Sequence, residues 1–208
     1  MTAPPPTIEF FFDPACPWTW MTSRWLVDAA TRTDTQIQWR NLSLSIVNAD
    51  REIPEQYRAA IEAARGAHRI IAALRADDRN RVVGDFYTGW GRRFHHDHVD
   101  PTPGLAKDVA AAVGAHQWAD AAHDNRWDSD VEASTKEGQD LAGGSDVGSP
   151  VLVFGEPRTG IFGPIVSPPP AGDDAVALLE HVVATAAMPA FYELKRGRRS
   201  GPRFGPRP

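Results

Sequence analysis

The run Ile8-Glu9-Phe10-Phe11-Phe12 is short, mostly apolar and ends at Asp13-Pro14, the pattern of a buried strand that stops abruptly. From Pro17 the spacing changes. Trp18, Met21, Trp25, Leu26 and Ala29 recur at helical intervals, and Pro17 sits in the first turn, where a missing N–H is harmless. Gln36 to Leu42 then alternates polar and apolar positions with period two, so strand, helix and strand together predict a parallel βαβ unit. Between Pro54 and about Asp140 the chain is Ala-rich with helical spacing in Tyr57-Ile61-Ala64, Ile70-Leu74 and Leu105-Val109-Val113. Gly143-Gly144, Gly148 and Pro150 break that pattern. Val151-Leu152-Val153-Phe154 reads as a strand entering a hairpin, with Gly160-Ile161-Phe162 as its partner. A last amphipathic helix is predicted from Asp173 to Ala187, with Val176, Leu179, Val182 and Val183 inward.

The fold class expected from this order is α/β, one compact body carrying a large helical insertion, and 208 residues suffice for its core without staples. The expected division is 1-50 for the N-terminal part, 51-142 for the insertion, 143-195 for the C-terminal part and 196-208 for a basic tail. The start at Pro4-Pro5-Pro6 is read as loose, and the tail, with Gly and Pro between its arginines, as solvated and flexible. A net charge of -5 argues against a nucleic-acid partner. No signal-type segment and no run near the roughly 18 apolar residues of a membrane span is present, so a cytoplasmic location without a membrane partner is expected.

The chain has a single cysteine, which excludes an internal disulfide and a multi-cysteine zinc site; any covalent chemistry must be monothiol. Cys16 falls between the first strand and the first helix, flanked by Pro14 and Pro17. A thiol at a helix N-terminus faces unsatisfied N–H groups and the positive end of the helix dipole, which favour the thiolate, so Cys16 is the candidate nucleophile. The bland alternative is an inert cysteine acting as a small hydrophobe. Thr19, one turn on, has a hydroxyl able to bond the sulfur, or simply its own backbone. Ser149-Pro150 precedes a strand, where a cis X-Pro turn would leave backbone free for an extended substrate and a plain turn proline would not. Trp18 and Trp20 bracket the thiol loop as a possible aromatic wall, although Trp20 is the one expected to pack inside. His95, His96 and His98 are read as exposed loop residues rather than metal ligands, with His95 the candidate to reach the thiol; no metal is expected.

Phe12-Asp13-Pro14-Ala15-Cys16-Pro17-Trp18-Thr19-Trp20 with Thr22-Ser23-Arg24-Trp25 resembles the DsbA-like thioredoxin-fold proteins, and most closely their actinobacterial mycothiol-dependent nitroreductase branch. Pro54-Glu55-Gln56-Tyr57-Arg58, Asp146-Val147-Gly148-Ser149-Pro150, Phe162-Gly163-Pro164 and Phe191-Tyr192-Glu193-Leu194-Lys195-Arg196 resemble that branch's landmarks in the same order. The resemblance implies a thioredoxin fold with an α-helical insertion, Cys16 as nucleophile, a cis proline at Pro150, mycothiol as cosubstrate, and homodimerisation by analogy. Members commonly carry Cys-Pro-Trp-Cys, whereas this chain has Thr19 in place of the second cysteine, so an external thiol must resolve any adduct. The expected function is a monothiol oxidoreductase or thiol-dependent reductase or transferase acting on disulfides or electrophilic small molecules. Noncovalent activation of the thiol cofactor, as in the related kappa-class glutathione transferases, is a variant of it. The alternative is a non-catalytic thioredoxin-fold binding module. Sites implied are Cys16 and Thr19 for catalysis, and Pro17, Trp18, Trp20, Ser149, Pro150 and His95 for binding.

Overall fold

A computed structural model describes residues 6–208; Pro4 and Pro5 of the N-terminal start lie outside the described residues. Four strands form one sheet: β1 (Thr7–Phe12), β2 (Gln36–Asn41), β3 (Val151–Phe154) and β4 (Thr159–Phe162), in the order β2-β1-β3-β4. β1 and β2 are parallel, with Phe10 opposite Trp39, and helix α1 (Pro17–Thr33) makes the crossover between them. β3 runs antiparallel to β1, and β4 completes the hairpin, with Val151 opposite Phe162.

Alternation along β1 divides the core. Phe10 and Phe12 face one side, where Phe12 stacks on Tyr87 at 4.1 Å and Phe10 meets Trp39 edge-on at 5.5 Å. Phe11 faces the other side with Leu42, Val151 and Val153. The chain between β2 and β3 holds α2 (Leu44–Val47), α3 (Glu55–Ala76), α4 (Asn80–Gly91), α5 (Leu105–Ala112), the 3-10 segments His116–His123 and Asn125–Trp127, and α6 (Asp128–Leu141). Helices α3, α4 and α5 add their apolar faces to the first side, along with α1 and the last helix α7 (Asp173–Ala186). Gly138 of α6 lies against the Phe11 ring, where an added Cβ would come within 2.7 Å, so α6 closes the second side.

One inward assignment fails, and one residue of the helical spacing stays outside. Val183 is 41% exposed, because Ala175, Leu179, Val182 and Ala186 define the buried stripe of α7 and Val183 falls one position off it. Tyr57 is 54% exposed, since the first turns of α3 project before the helix reaches the body.

Helix α4 passes straight into a π-helical turn, Arg92–His96, whose wider winding turns His95 and His96 toward α1. Gly91 at that junction lies on the six-membered ring of fully buried Trp20, and a Cβ there would stand 2.2 Å from it. Gly91→Ala is expected to lower stability by about 1–3 kcal/mol through overpacking, read as a lower urea midpoint with an unchanged denaturant slope.

Candidate functional site

The strand β1 ends where its apolar run meets Asp13, and Asp13 organises the turn that follows. Its carbonyl accepts the Cys16 N–H at 3.1 Å, and its carboxylate accepts the Ala15 N–H at 2.8 Å and the Leu44 N–H at 2.7 Å. Its own N–H donates to Ser149 Oγ at 2.9 Å, across 136 positions of sequence. Next in the turn, the Pro14 carbonyl accepts from Trp90 Nε1 at 3.0 Å and from His95 Nε2 at 2.9 Å. The turn therefore has few unpaired backbone groups in which to relax, and it delivers Cys16 as the N-cap of α1, with Pro17 in the first helical turn.

Cys16 is 9% exposed, and its thiol is pushed above the ordinary thiol value. Burial is the main cause, and the nearby Asp13 carboxylate adds to it; the Thr19 hydroxyl and the N–H groups of Thr19 and Trp18 pull the other way. The helix N-terminus does supply the donors read from the sequence, but desolvation outweighs them. The expected depressed thiol is thus corrected to a thiol that rests protonated.

Thr19 is fully buried, and its Oγ1 lies 2.7 Å from Ser149 Oγ. Because Ser149 Oγ already accepts from Asp13, its hydroxyl proton can pass to Thr19, which leaves the Thr19 proton for the Cys16 sulfur. The Ser149–Pro150 peptide is cis, and Pro150 is buried at the entry to β3. Cys16, Pro17, Trp18, Thr19, Ser149 and Pro150 thus come together around one turn.

Trp20 packs inside, as expected, and His95, read as the candidate to reach the thiol, is turned to the backbone behind it. Trp20 is completely buried, its Nε1 donating to His96 Nε2 at 3.1 Å and its ring lying 4.2 Å from the Arg24 guanidinium. His95 is not a loop residue but a buried one, 4% exposed, stacked at 5.6 Å on Trp20 and spent on the Pro14 carbonyl. Burial pulls the His95 imidazole down to about 4, so it stays neutral and serves the turn. Trp18, partly exposed, remains as the aromatic surface beside the thiol. Among the described residues no group of three or more His, Cys, Asp or Glu is arranged to hold a metal ion, and no helix is long and apolar enough to cross a membrane.

Sequence reasoning missed the group behind the turn. His68 of α3 is 2% exposed, with Nε2 3.4 Å from Asp13 Oδ2 and Nδ1 3.2 Å from Asn41 Oδ1. The available signal was a lone histidine on the apolar face formed by Ala64, Ala67, Ile71 and Leu74.

A family described as "Rv2466c-like: Mycothiol-dependent nitroreductase Rv2466c" matches residues 15–196. The chain is 30% identical over 192 residues to uncharacterized protein Rv2286c of Mycobacterium tuberculosis, covering 91% of this chain and 81% of that protein. Its fold is similar to that of the cytosolic disulfide reductase DsbM from Pseudomonas aeruginosa solved with GSH, at TM-score 0.56 and 13% identity, over 86% of this chain and 99% of that one. It is also similar to the probable DsbA oxidoreductase SCO1869 from Streptomyces coelicolor, at TM-score 0.52 and 16% identity, over 93% and 94% of the two chains. These likenesses establish the DsbA-like thioredoxin fold with its helical insertion.

The low value at His95 makes acid stability a readout of the turn. A base whose folded value is depressed stabilises fully above its unfolded value near 6.5 and loses that contribution as pH falls toward about 4. Stability should therefore drop by roughly 3 kcal/mol over that window, and urea titrations of His95→Gln should show a shallower drop.

Proposed function

Because the chain belongs to the Rv2466c-like mycothiol-dependent nitroreductase family, we propose that it is a thiol-dependent oxidoreductase in which the Cys16 Sγ exchanges with a disulfide and mycothiol regenerates it. The observation that carries this reading is the place of Cys16 at the N-cap of α1, one turn before a buried Thr19 whose Oγ1 lies 2.7 Å from Ser149 Oγ, with the Thr19 hydroxyl and the N–H groups of Thr19 and Trp18 acting to lower the thiol's pKa. Such donors act on a sulfur anion more strongly than on a thiol, so they favour the charge that develops as Cys16 attacks or departs.

The exchange balances without a second cysteine. The Cys16 sulfur bonds to one sulfur of the substrate disulfide, the other leaves as a thiolate, and that thiolate takes up the Cys16 proton. A mycothiol thiolate then attacks the mixed disulfide, Cys16 leaves and is reprotonated, and the product is a new disulfide carrying mycothiol. Thr19 holds the sulfur's charge in both steps, and Trp18, partly exposed under the Arg198 guanidinium, is the aromatic residue beside the sulfur in this proposal. The proposed setting is the cytoplasm, where a low-molecular-weight thiol is kept reduced. Ser149, 2.7 Å from Thr19 Oγ1, and Pro150 after it are the binding residues of this proposal.

A second reading is favoured by the raised Cys16 thiol. A thiol that stays protonated can donate to the sulfur of a bound mycothiol and lower that thiol's pKa, activating the cofactor without a covalent bond. Intact mass after incubation with mycothiol disulfide separates the two. Exchange predicts one adduct at Cys16, released by added mycothiol and lost in Cys16→Ser. Noncovalent activation predicts no adduct but mycothiol-dependent reduction of an electrophile, weakened in Cys16→Ser. If neither adduct nor turnover is seen, the protein is a binding module on this fold. The rate of adduct formation should also rise with pH beyond the free-thiol value of about 8.5, and Thr19→Val should move that rise further up while Asp13→Asn moves it down.

A further inference from the structure

Beyond Ala187 the chain carries no helix or strand, yet it does not hang free as its Gly, Pro and Arg content led us to expect. It runs back over the N-terminal end of α1 and the π turn. The Arg198 guanidinium lies 4.3 Å over the ring of Trp18. Phe204 packs its ring 5.6 Å from both His95 and His96. Arg207 grips Asp97 with two bonds of 2.8 and 2.9 Å, and the Arg203 N–H donates to Ser167 Oγ at 3.0 Å.

We propose that residues 198–207 are a strap across the mouth of the Cys16 site, with Arg198 and Phe204 as its substrate-selecting residues. Trp18 is the partly exposed ring beside the thiol, and Arg198 covers it. The strap takes the place of the ring-stacking group of a substrate, so a bulky disulfide or electrophile must displace it, whereas a small reagent can pass beneath. Its anchors are of four kinds: a cation on an aromatic face, an aromatic ring against two imidazoles, a backbone hydrogen bond to Ser167, and an exposed ion pair that salt weakens. Phe204 alone among these strap residues is partly buried, against the core; Arg198, Arg203 and Arg207 are exposed. The five arginines and one lysine from Lys195 to Arg207 also make the displaced strap a favourable neighbour for an anionic substrate. This rests on the proposed exchange only for its consequence, because accessibility of the sulfur is measurable without turnover.

The test compares alkylation rates of Cys16, the only cysteine of the chain, with iodoacetamide as the small probe and fluorescein-5-maleimide as the bulky one. Three samples are compared with the full chain: a chain ending at Gly197, a full-length Arg198→Ala/Phe204→Ala variant, and the unaltered protein in about 1 M sodium chloride. The strap predicts a rise of about tenfold for the maleimide and less than about threefold for iodoacetamide in both variants, with a smaller selective rise in salt. Unchanged maleimide rates in both variants overturn it. An equal rise for both probes also overturns it, since that reports general loosening rather than a size filter. Loss of mycothiol-dependent turnover with these rates as expected would instead count against the proposed function and leave the strap standing.

Discussion

The buried Asp13 carboxylate is the constraint on which the site depends. Asp13 ends β1, caps the turn by accepting the Ala15 N–H, anchors the start of α2 through Leu44, and lies against His68 of α3. Its backbone reaches in both directions, donating to Ser149 ahead of β3 and accepting from Cys16 at the head of α1. Four stretches far apart in sequence, residues 13–16, Leu44, His68 and Ser149, thus meet at one residue 3% exposed. Removing a buried acceptor with this many donors would strand several N–H groups at once, each at a penalty of about 1–3 kcal/mol.

That same carboxylate works against the chemistry it positions. Burial is the main force raising the Cys16 thiol and the Asp13 charge adds to it, while the N–H groups of Thr19 and Trp18 and the Thr19 hydroxyl pull the other way. The fold therefore keeps its one thiol quiet at rest.

How much of this could be read from residue order depends on the range of the interaction. β1, α1, β2, β3 and α7 were legible because each is a local pattern, of period two or of helical spacing, ended by Asp-Pro, Gly or Pro. Cys16 at the head of α1 followed from the same logic, as did the nearness of Thr19. What was not legible is what distant segments do to one another. His68 is 55 positions from Asp13, and nothing adjacent to it marks the contact. His95 and His96 looked like loop residues because the π turn that swings them inward has no sequence signature, only the absence of a Cβ at Gly91. The sign of the thiol's shift was misread for the same reason: the helix end is a local feature and the burial is not.

The way the last residues rest on the molecule bears on how the protein would evolve. A segment without helix or strand, tethered at one end, returns to its docking face at an effective local concentration in the millimolar range, and its occupancy follows simple mass action. Each arginine or aromatic exchanged along it then shifts the closed fraction by a small step instead of switching it. Because those positions lie outside every helix and strand, and Phe204 alone among the strap residues named also packs against the core, drift there would retune the proposed selectivity in a graded way while the turn at Cys16 stays untouched.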